Sequence, residues 1–176
     1  MSLLRPRSGQ LGRRLAGFTL LELLVVMVII TIAFFALRPS FAGAVREAQE
    51  RNAMRQLVGL FTAARAEAVA RGKLVRVAYD PDESAFYPEV QQRPEEDRQL
   101  FEPVTLVGKR RVLLPEHLIL EAVEVGGMSL APAEAPVVYF YPDGRTDGAA
   151  FLMVRDSGAT AVLEILGATG KVSLDV

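Results

Sequence analysis

The stretch GFTLLELLVVMVIITIAFFAL, residues 17–37, decides how the chain begins. Its last 20 residues, from Phe18 to Leu37, contain only three polar side chains, Thr19, Glu22 and Thr31. As an α-helix rising 1.5 Å per residue, 20 residues span about 30 Å, which is the hydrocarbon thickness of a bilayer. The stretch therefore predicts a transmembrane helix at 18–37.

The residues before this stretch predict its orientation. Residues 1–17 carry four arginines and no acidic residue, and 18–37 contain no basic residue. Positive charge stays on the cytoplasmic side of a membrane, so we expect a cytoplasmic basic leader at 1–17 and an outward-facing remainder. A carboxylate in such a helix costs about 2.5–3.5 kcal/mol at the membrane centre and less near its end, where Glu22 lies. Glu22 is therefore expected to have a function and a cationic partner.

Composition excludes several classes of protein. The chain has 176 residues, no cysteine and one histidine, His117. Disulfides, thiol catalysis, cysteine-based zinc sites and a His-rich metal cage are therefore excluded, and we expect no cofactor, no metal and no enzymatic activity. Beyond Gly17 the chain has 16 basic and 21 acidic residues, a net charge of −5. Such a body is not expected to bind nucleic acid, which needs a basic face.

A second helical pattern follows the apolar stretch. Apolar residues recur every three or four positions from Phe41 to Ala68, which predicts an amphipathic helix over 38–72 with Gly72 just past its end. Pro39 should bend or locally unwind the helix rather than end it, because the periodicity resumes at once. We expect Leu57–Ala68 to pack against the body and Phe41–Ala48 to contact other subunits.

Residues 73–176 are predicted to form a β-rich domain. Short strands separated by turns are typical of an antiparallel sandwich, so the fold class is α+β, a long transmembrane-to-amphipathic helix followed by a β-sandwich-like domain. Asp80-Pro81-Asp82-Glu83 predicts a hairpin turn, and 91–103 and Gly126–Pro136 predict loops. The predicted strands are Leu74–Tyr79, Ser84–Val90, Val104–Val107, Arg110–Leu114, Leu118–Val125, Val137–Tyr141, Ala150–Arg155, Ala161–Leu166 and Lys171–Leu174.

The hexapeptide Gly17-Phe18-Thr19-Leu20-Leu21-Glu22, between a basic leader and an apolar run, resembles the class III signal of type IV pilins and pseudopilins. The resemblance implies that a prepilin peptidase cuts between Gly17 and Phe18 and that Phe18 is then N-methylated. Glu22, the fifth residue of the mature chain, would pair with the Phe18 amine of a neighbouring subunit. We assign Glu22 and Pro39 to assembly.

Three further segments resemble the minor pseudopilin H family of type II secretion: Ala63–Gly72, Val138–Arg145 and Gly167–Val172. This resemblance implies an assembly component of a secretion pseudopilus, single-pass in the bacterial inner membrane, with its C-terminal domain in the periplasm. The implied partners are the prepilin peptidase, the major pseudopilin, other minor pseudopilins and the inner-membrane assembly platform.

Other identities stay open at this point. A minor type IV pilin for DNA uptake, motility or adhesion has the same domain type, but the uptake class carries a basic GRxR-like tail where this chain has Gly170-Lys171-Val172-Ser173. A secretory signal peptide cut after Ala42-Gly43-Ala44 would need an apolar region of roughly 7–15 residues, shorter than this one. A plain membrane anchor, a secreted β-sandwich binding module and an anchored hydrolase are the remaining alternatives.

Four minor features have ordinary structural explanations beside functional ones. The segment from Asp143 to Gly148 is either a turn or a Ca²⁺ loop, and Lys109-Arg110-Arg111 is either a solvated edge or a phosphate contact. Glu95-Glu96-Asp97 fits a solvated loop better than a pair of catalytic acids. His117 fits an ordinary surface or half-buried histidine better than a member of a catalytic triad.

Overall fold

The computed structural model describes residues 18–92 and 100–175, and it divides into two compact units at Ala42/Gly43. Helix α1, Leu20–Arg71, has 52 residues and continues as α-helix through Pro39. The predicted helix is thus present, and the proline does not end it. Gly72 adopts a left-handed conformation (φ +63°), and the following N–H of Lys73 donates back to the Ala68 carbonyl, which terminates α1.

Among the described residues, ten strands follow in two antiparallel five-stranded sheets, as the strand pattern predicts. The first sheet has the order β3-β2-β1-β7, with β4 also paired to β2, and the second has the order β10-β9-β8-β5-β6. The strands are β1 Val75–Asp80, β2 Ala85–Gln91, β3 Phe101–Pro103, β4 Val112–Leu113, β5 Leu118–Val125, β6 Met128–Leu130, β7 Val137–Phe140, β8 Ala149–Arg155, β9 Thr160–Ile165 and β10 Val172–Asp175.

Several local predictions are wrong, including the loop at 91–103, whose last three residues form β3. The strand expected at Val104–Val107 lies earlier, at Phe101–Pro103, and Leu106 instead bridges to Lys109 around a tight turn. The loop expected at Gly126–Pro136 contains β6 and a 3₁₀ turn at Pro132–Glu134. Gly126 and Gly127 both have positive φ (60° and 79°), which is the geometry of a two-residue hairpin. The Gly-Gly pair therefore continues the sheet instead of starting a loop.

The core lies where α1 meets both sheets of the second unit. Side chains on one face of α1 are buried at helical spacing, and they include the predicted core residues Leu57, Phe61, Ala64 and Ala68. The ring centroid of Phe61 lies 5.8 Å from that of Phe86 in β2, 6.2 Å from Phe140 in β7 and 5.3 Å from Phe151 in β8. One helical side chain thus contacts both sheets, and aromatic pairs at these distances add to the free energy of area burial.

A second junction joins α1 to two glycine turns. Arg65 Nε donates to the Gly144 carbonyl oxygen at 2.9 Å. Gly144 (φ +84°) and Gly170 (φ +61°) are both buried, and a Cβ added at Gly170 would lie 2.4 Å from Arg65 Cδ and 3.2 Å from the Gly144 oxygen. The arginine can therefore pass between the two turns only because neither carries a side chain.

A polar contact fixes the start of the buried helical face. Glu50 is 8% exposed, and its Oε2 lies 3.1 Å from Nε of Arg155 at the end of β8, close enough for an ion pair but not aligned as a hydrogen bond. His117, just before β5, places Nε2 3.7 Å from Glu50 Oε1 and 3.2 Å from the Arg46 carbonyl oxygen. We call Glu50, His117 and Arg155 the Glu50 cluster, and it joins α1 to the second sheet.

Substituting Gly170 by alanine should destabilise the second unit more than the same change at Gly158. Both glycines have positive φ, but nothing lies within 4 Å of a Cβ at Gly158. Gly158→Ala should cost about 1 kcal/mol of unfolding free energy from backbone strain alone. Gly170→Ala should cost about 2–4 kcal/mol because Arg65 must also move. Urea unfolding of residues 43–176 measures both, and equal losses would contradict the packing role of Arg65.

Removing the carboxylate of Glu50 should lower the free energy of unfolding by about 2–4 kcal/mol, because the half-buried Arg155 would then keep its charge without a partner. The matched control is Glu47→Ala, on the same helix, whose ion pair with Arg51 is exposed. That change should cost no more than about 0.5 kcal/mol. The same urea titration compares them, and a silent Glu50→Ala would show that the cluster does not hold the helix.

Candidate functional site

The described chain begins at the point where the sequence predicts processing and assembly. Thr19 caps α1, because the Glu22 N–H lies 3.2 Å from its Oγ1 and 3.1 Å from its carbonyl oxygen. Glu22 is the acidic residue of the first turn, at the position where a glutamate completes a capping box with a threonine three residues earlier. A negative charge there is also favoured by the helix dipole. Sequence analysis overlooked this Thr-x-x-Glu pattern, although it is visible in the sequence.

The side chains that follow are uncovered. Every side chain described from Phe18 to Phe35 is exposed, and Phe18 itself is 72% exposed. A contiguous apolar surface of this kind marks a site that contacts a membrane or other proteins. Glu22 is the sole charged residue of 18–37. Within the described residues its carboxylate has no hydrogen-bond or ion-pair partner.

Among the described residues, no helix meets the combined length and hydropathy requirement for crossing a membrane. The span at 18–37 therefore stays a prediction. Gly17, on the leader side of the predicted cleavage site, lies outside the described residues, as do the leader itself and Glu95-Glu96-Asp97. Pro39 is described as part of the helical backbone.

Within the second unit, exposure changes abruptly along α1. Residues 43–49 are all exposed, including the apolar Ala44, Val45 and Ala48, whereas burial begins at Glu50 and continues through Ala53 and Met54. The first part of this segment thus presents an apolar surface that the body does not cover. It coincides with most of the stretch for which the sequence predicts subunit contact.

The Glu50 cluster contains residues that sequence analysis missed. His117 is half-buried, as expected, but its contact with Glu50 was not foreseen, and neither Glu50 nor Arg155 was singled out. One signal was available. Glu50 occupies the same helical face as Ala53 and Leu57, so a charged residue stands in register with the buried stripe and requires a partner.

The carboxylates of Asp143 and Asp147 accept hydrogen bonds from residues close to them in the sequence. Asp143 accepts from the Arg145 backbone N–H at 3.0 Å and its Nε at 2.7 Å, and these bonds, the backbone one first, lower the pKa of the Asp143 carboxyl. Asp147 accepts from the Tyr141 hydroxyl at 2.9 Å, which raises the tyrosine pKa. In the two described ranges no three acidic or histidine side chains are grouped to hold a metal ion.

The three basic residues of the Lys109 segment have different environments. Lys109 Nζ donates to Gln56 Oε1 on α1 at 2.5 Å, and Arg111 pairs with Glu83. Arg110 between them is exposed. The segment therefore bridges from α1 to the β1–β2 turn, and it does not form a single cationic face.

Models of two known protein families match parts of this sequence. A model of the prokaryotic N-terminal methylation motif matches residues 12–37, and the model of type II transport protein GspH matches residues 53–170. No curated protein sequence matches the chain.

Two solved structures of the minor pseudopilin EpsH from the type II secretion system of Vibrio cholerae have a similar fold. One is 12% identical with a TM-score of 0.55 over 73% of this chain and 97% of that one. The other is 14% identical with a TM-score of 0.56 over 74% and 94%. Since the family model matches more than half of the sequence, the chain belongs to the GspH family of type II transport proteins and is a minor pseudopilin of type II secretion.

Proposed function

We propose that this pseudopilin is cut between Gly17 and Phe18 by the prepilin peptidase and N-methylated at Phe18. The match of the methylation motif to residues 12–37 supports this processing. Residues 18–37 then hold the chain in the bacterial inner membrane, and the β-rich body lies in the periplasm. The arginine-rich leader supports this orientation because it stays on the cytoplasmic side.

During assembly the apolar helix leaves lipid for a bundle formed with the major pseudopilin and other minor pseudopilins, at the inner-membrane assembly platform. The exchange brings little net hydrophobic gain, because lipid tails are as apolar as the side chains of the bundle. Close packing between helices and polar interactions can therefore favour the assembled state, and the sequence offers one charged group for a polar interaction. Glu22 is the acid available for it, and the new Phe18 amine is the cation that cleavage creates.

This proposal rests on the exposure of the Glu22 side chain and of the apolar side chains around it. Thr19 caps the helix through the Glu22 N–H, whereas the Glu22 carboxylate has no partner within the described residues, so it is available for a contact with another subunit. An ammonium–carboxylate pair between subunits would stabilise only the assembled filament. The exposed residues 43–49 offer a further contact surface in the second unit. We also assign Pro39 to assembly.

The body takes part as a structural component, without catalysis. The single histidine, His117, is engaged by Glu50 and by the Arg46 carbonyl, an arrangement that serves packing. The carboxylates of Asp143 and Asp147 are likewise bound to neighbours in their own turn.

Intact-mass analysis should find a mature chain that begins at Phe18 and carries one N-methyl group. Cleavage after Gly17 suits a peptidase at the membrane face, because a glycine precedes the apolar helix. A mature chain that starts at Val45 would instead identify a secretory signal peptide. An uncut Met1 would identify a plain anchor.

Replacing Glu22 by alanine should leave processing and membrane retention intact, because an apolar residue inserts into lipid at least as well. Co-purification with other pseudopilins should nevertheless fall sharply, and secretion should fall with it, since the Phe18 ammonium of the bundle loses its partner. Crosslinking and a secretion assay in a strain without the native copy measure both.

Three further variants separate charge from capping. Glu22→Gln can still complete a capping box but has no charge, so it should fail like alanine if the ion pair is what matters. Glu22→Asp should keep partial function. Thr31→Ala is the matched control, because Thr31 Oγ1 donates to its own helix at the Met27 carbonyl, 2.7 Å away, and should be silent. Normal assembly by Glu22→Ala would exclude the carboxylate as the docking group.

A further inference from the structure

A small apolar pocket lies on the second unit beside the Lys109 segment. Its volume is about 170 Å³, and it is formed by Gly59 and Leu60 on α1, by Leu106, Val107 and Lys109 on the tight turn, and by Val112 of β4. An apolar cavity of about 150 Å³ holds a benzene molecule. The pocket, which we call the Gly59 pocket, is therefore large enough for one leucine or phenylalanine side chain.

Gly59 forms part of this pocket without any internal reason to be glycine. It lies in the interior of α1, where glycine destabilises a helix by about 0.5–1 kcal/mol relative to alanine. Its φ is not positive, and a Cβ added there would meet nothing within 4 Å. Neither backbone conformation nor packing within the described residues requires a glycine. Because Gly59 has no side chain, the pocket remains open.

Val107 stands at the rim under backbone strain. Val107 and Gly108 have φ of +51° and +71°, and they form a two-residue turn closed by 2.8 Å hydrogen bonds in both directions between Leu106 and Lys109. Turns of this geometry favour asparagine and glycine, and a β-branched residue with positive φ is an outlier. The Val107 side chain is nevertheless 68% exposed. The fold gains little from this valine, whereas a bound partner would gain an apolar contact.

The charged residues that line the pocket are both basic. Arg55 and Lys109 line it, Arg110 follows next in the chain, and no acidic residue lines it. Within the described residues, Arg55 and Arg110 make no ion pair. This basic rim stands out on a mature chain whose net charge is −5, so it favours a partner that brings carboxylates.

From these observations we infer that the Gly59 pocket docks one leucine- or phenylalanine-sized side chain, flanked by carboxylates, on a neighbouring subunit of the filament. The buried apolar side chain supplies the affinity, as anchors in pockets do, and the cationic rim supplies the orientation. This inference rests on the proposed assembly function and names the chemistry of one of its contacts.

The test uses the full-length chain in cells that express the secretion system. A photo-crosslinking amino acid replaces Gln56, which lines the pocket, or Ser173 in β10 of the other sheet as a control. We expect a crosslink at 56, absent at 173, to another pseudopilin. Mass spectrometry should map it to a segment with a large apolar residue beside Asp or Glu.

Three substitutions then separate docking from folding. Gly59→Leu should fill the pocket and reduce the crosslink about tenfold or more, as loss of a hot-spot contact does, without lowering the melting temperature. Thr62→Leu is the control, because it adds the same side chain at an exposed position about one turn further along α1. In this variant the crosslink should persist. Val107→Asn should raise the melting temperature by relieving the turn, yet weaken the crosslink. Lys109→Glu should weaken it as well.

The inference is overturned if position 56 crosslinks no more than 173, or only to a second copy of this chain or to a secreted protein. It is also overturned if crosslinking survives Gly59→Leu, or if crosslinking and thermal stability fall together in the Val107 variant. Processing at Phe18 and co-purification with pseudopilins are measured in the same strains. If both persist without the crosslink, the pocket inference alone fails. If the unsubstituted chain does not co-purify with them, the proposed function fails too.

Discussion

The packing of Phe61 against both sheets is the contact on which the body of this pseudopilin depends. Its ring lies within 6.2 Å of three other phenylalanine rings, two in the first sheet and one in the second, while Phe86 and Phe151 also contact each other across the sheets at 5.5 Å. Because interiors are close-packed, the position of one helical side chain constrains both sheets at once. The part of α1 that lies in the second unit is therefore a layer of the core.

Much of this arrangement was predictable because it follows from local periodicity. The spacing of Leu57, Phe61, Ala64 and Ala68 identifies the buried helical face before any coordinates are known, and the alternation in Leu118–Val125 gives that strand its observed bounds. The segments that resemble the H family also acquire a physical explanation. Arg65 belongs to the first of them and passes between Gly144 and Gly170, which belong to the other two.

The features that could not be predicted depend on partners far apart in the sequence. Glu50 and Arg155 are 105 positions apart, and no local pattern joins them, although a charged residue on the buried face indicates that a partner must exist. The strand shift at Phe101–Pro103 has a similar origin, because β3 is placed by pairing to β2 and not by its own short alternation. At the helix start, by contrast, the capping pattern is local, because Thr19 and Glu22 are only three positions apart.

The division of α1 at Glu50 explains how one helix can serve two purposes. From Glu50 onward its buried face is fixed by the core, so substitutions there change the stability of the body. From residue 43 to 49 every side chain is exposed, and substitutions there are expected to leave folding nearly unaffected. The same reasoning applies to the pocket beside Gly59. Glycine lowers the helix propensity of α1 at this position, and Val107 in the adjacent turn has a strained backbone, yet neither feature stabilises the fold. Structural features that cost stability without internal compensation are best explained by contacts the isolated chain does not contain. In the filament proposed above, those contacts would be with neighbouring subunits.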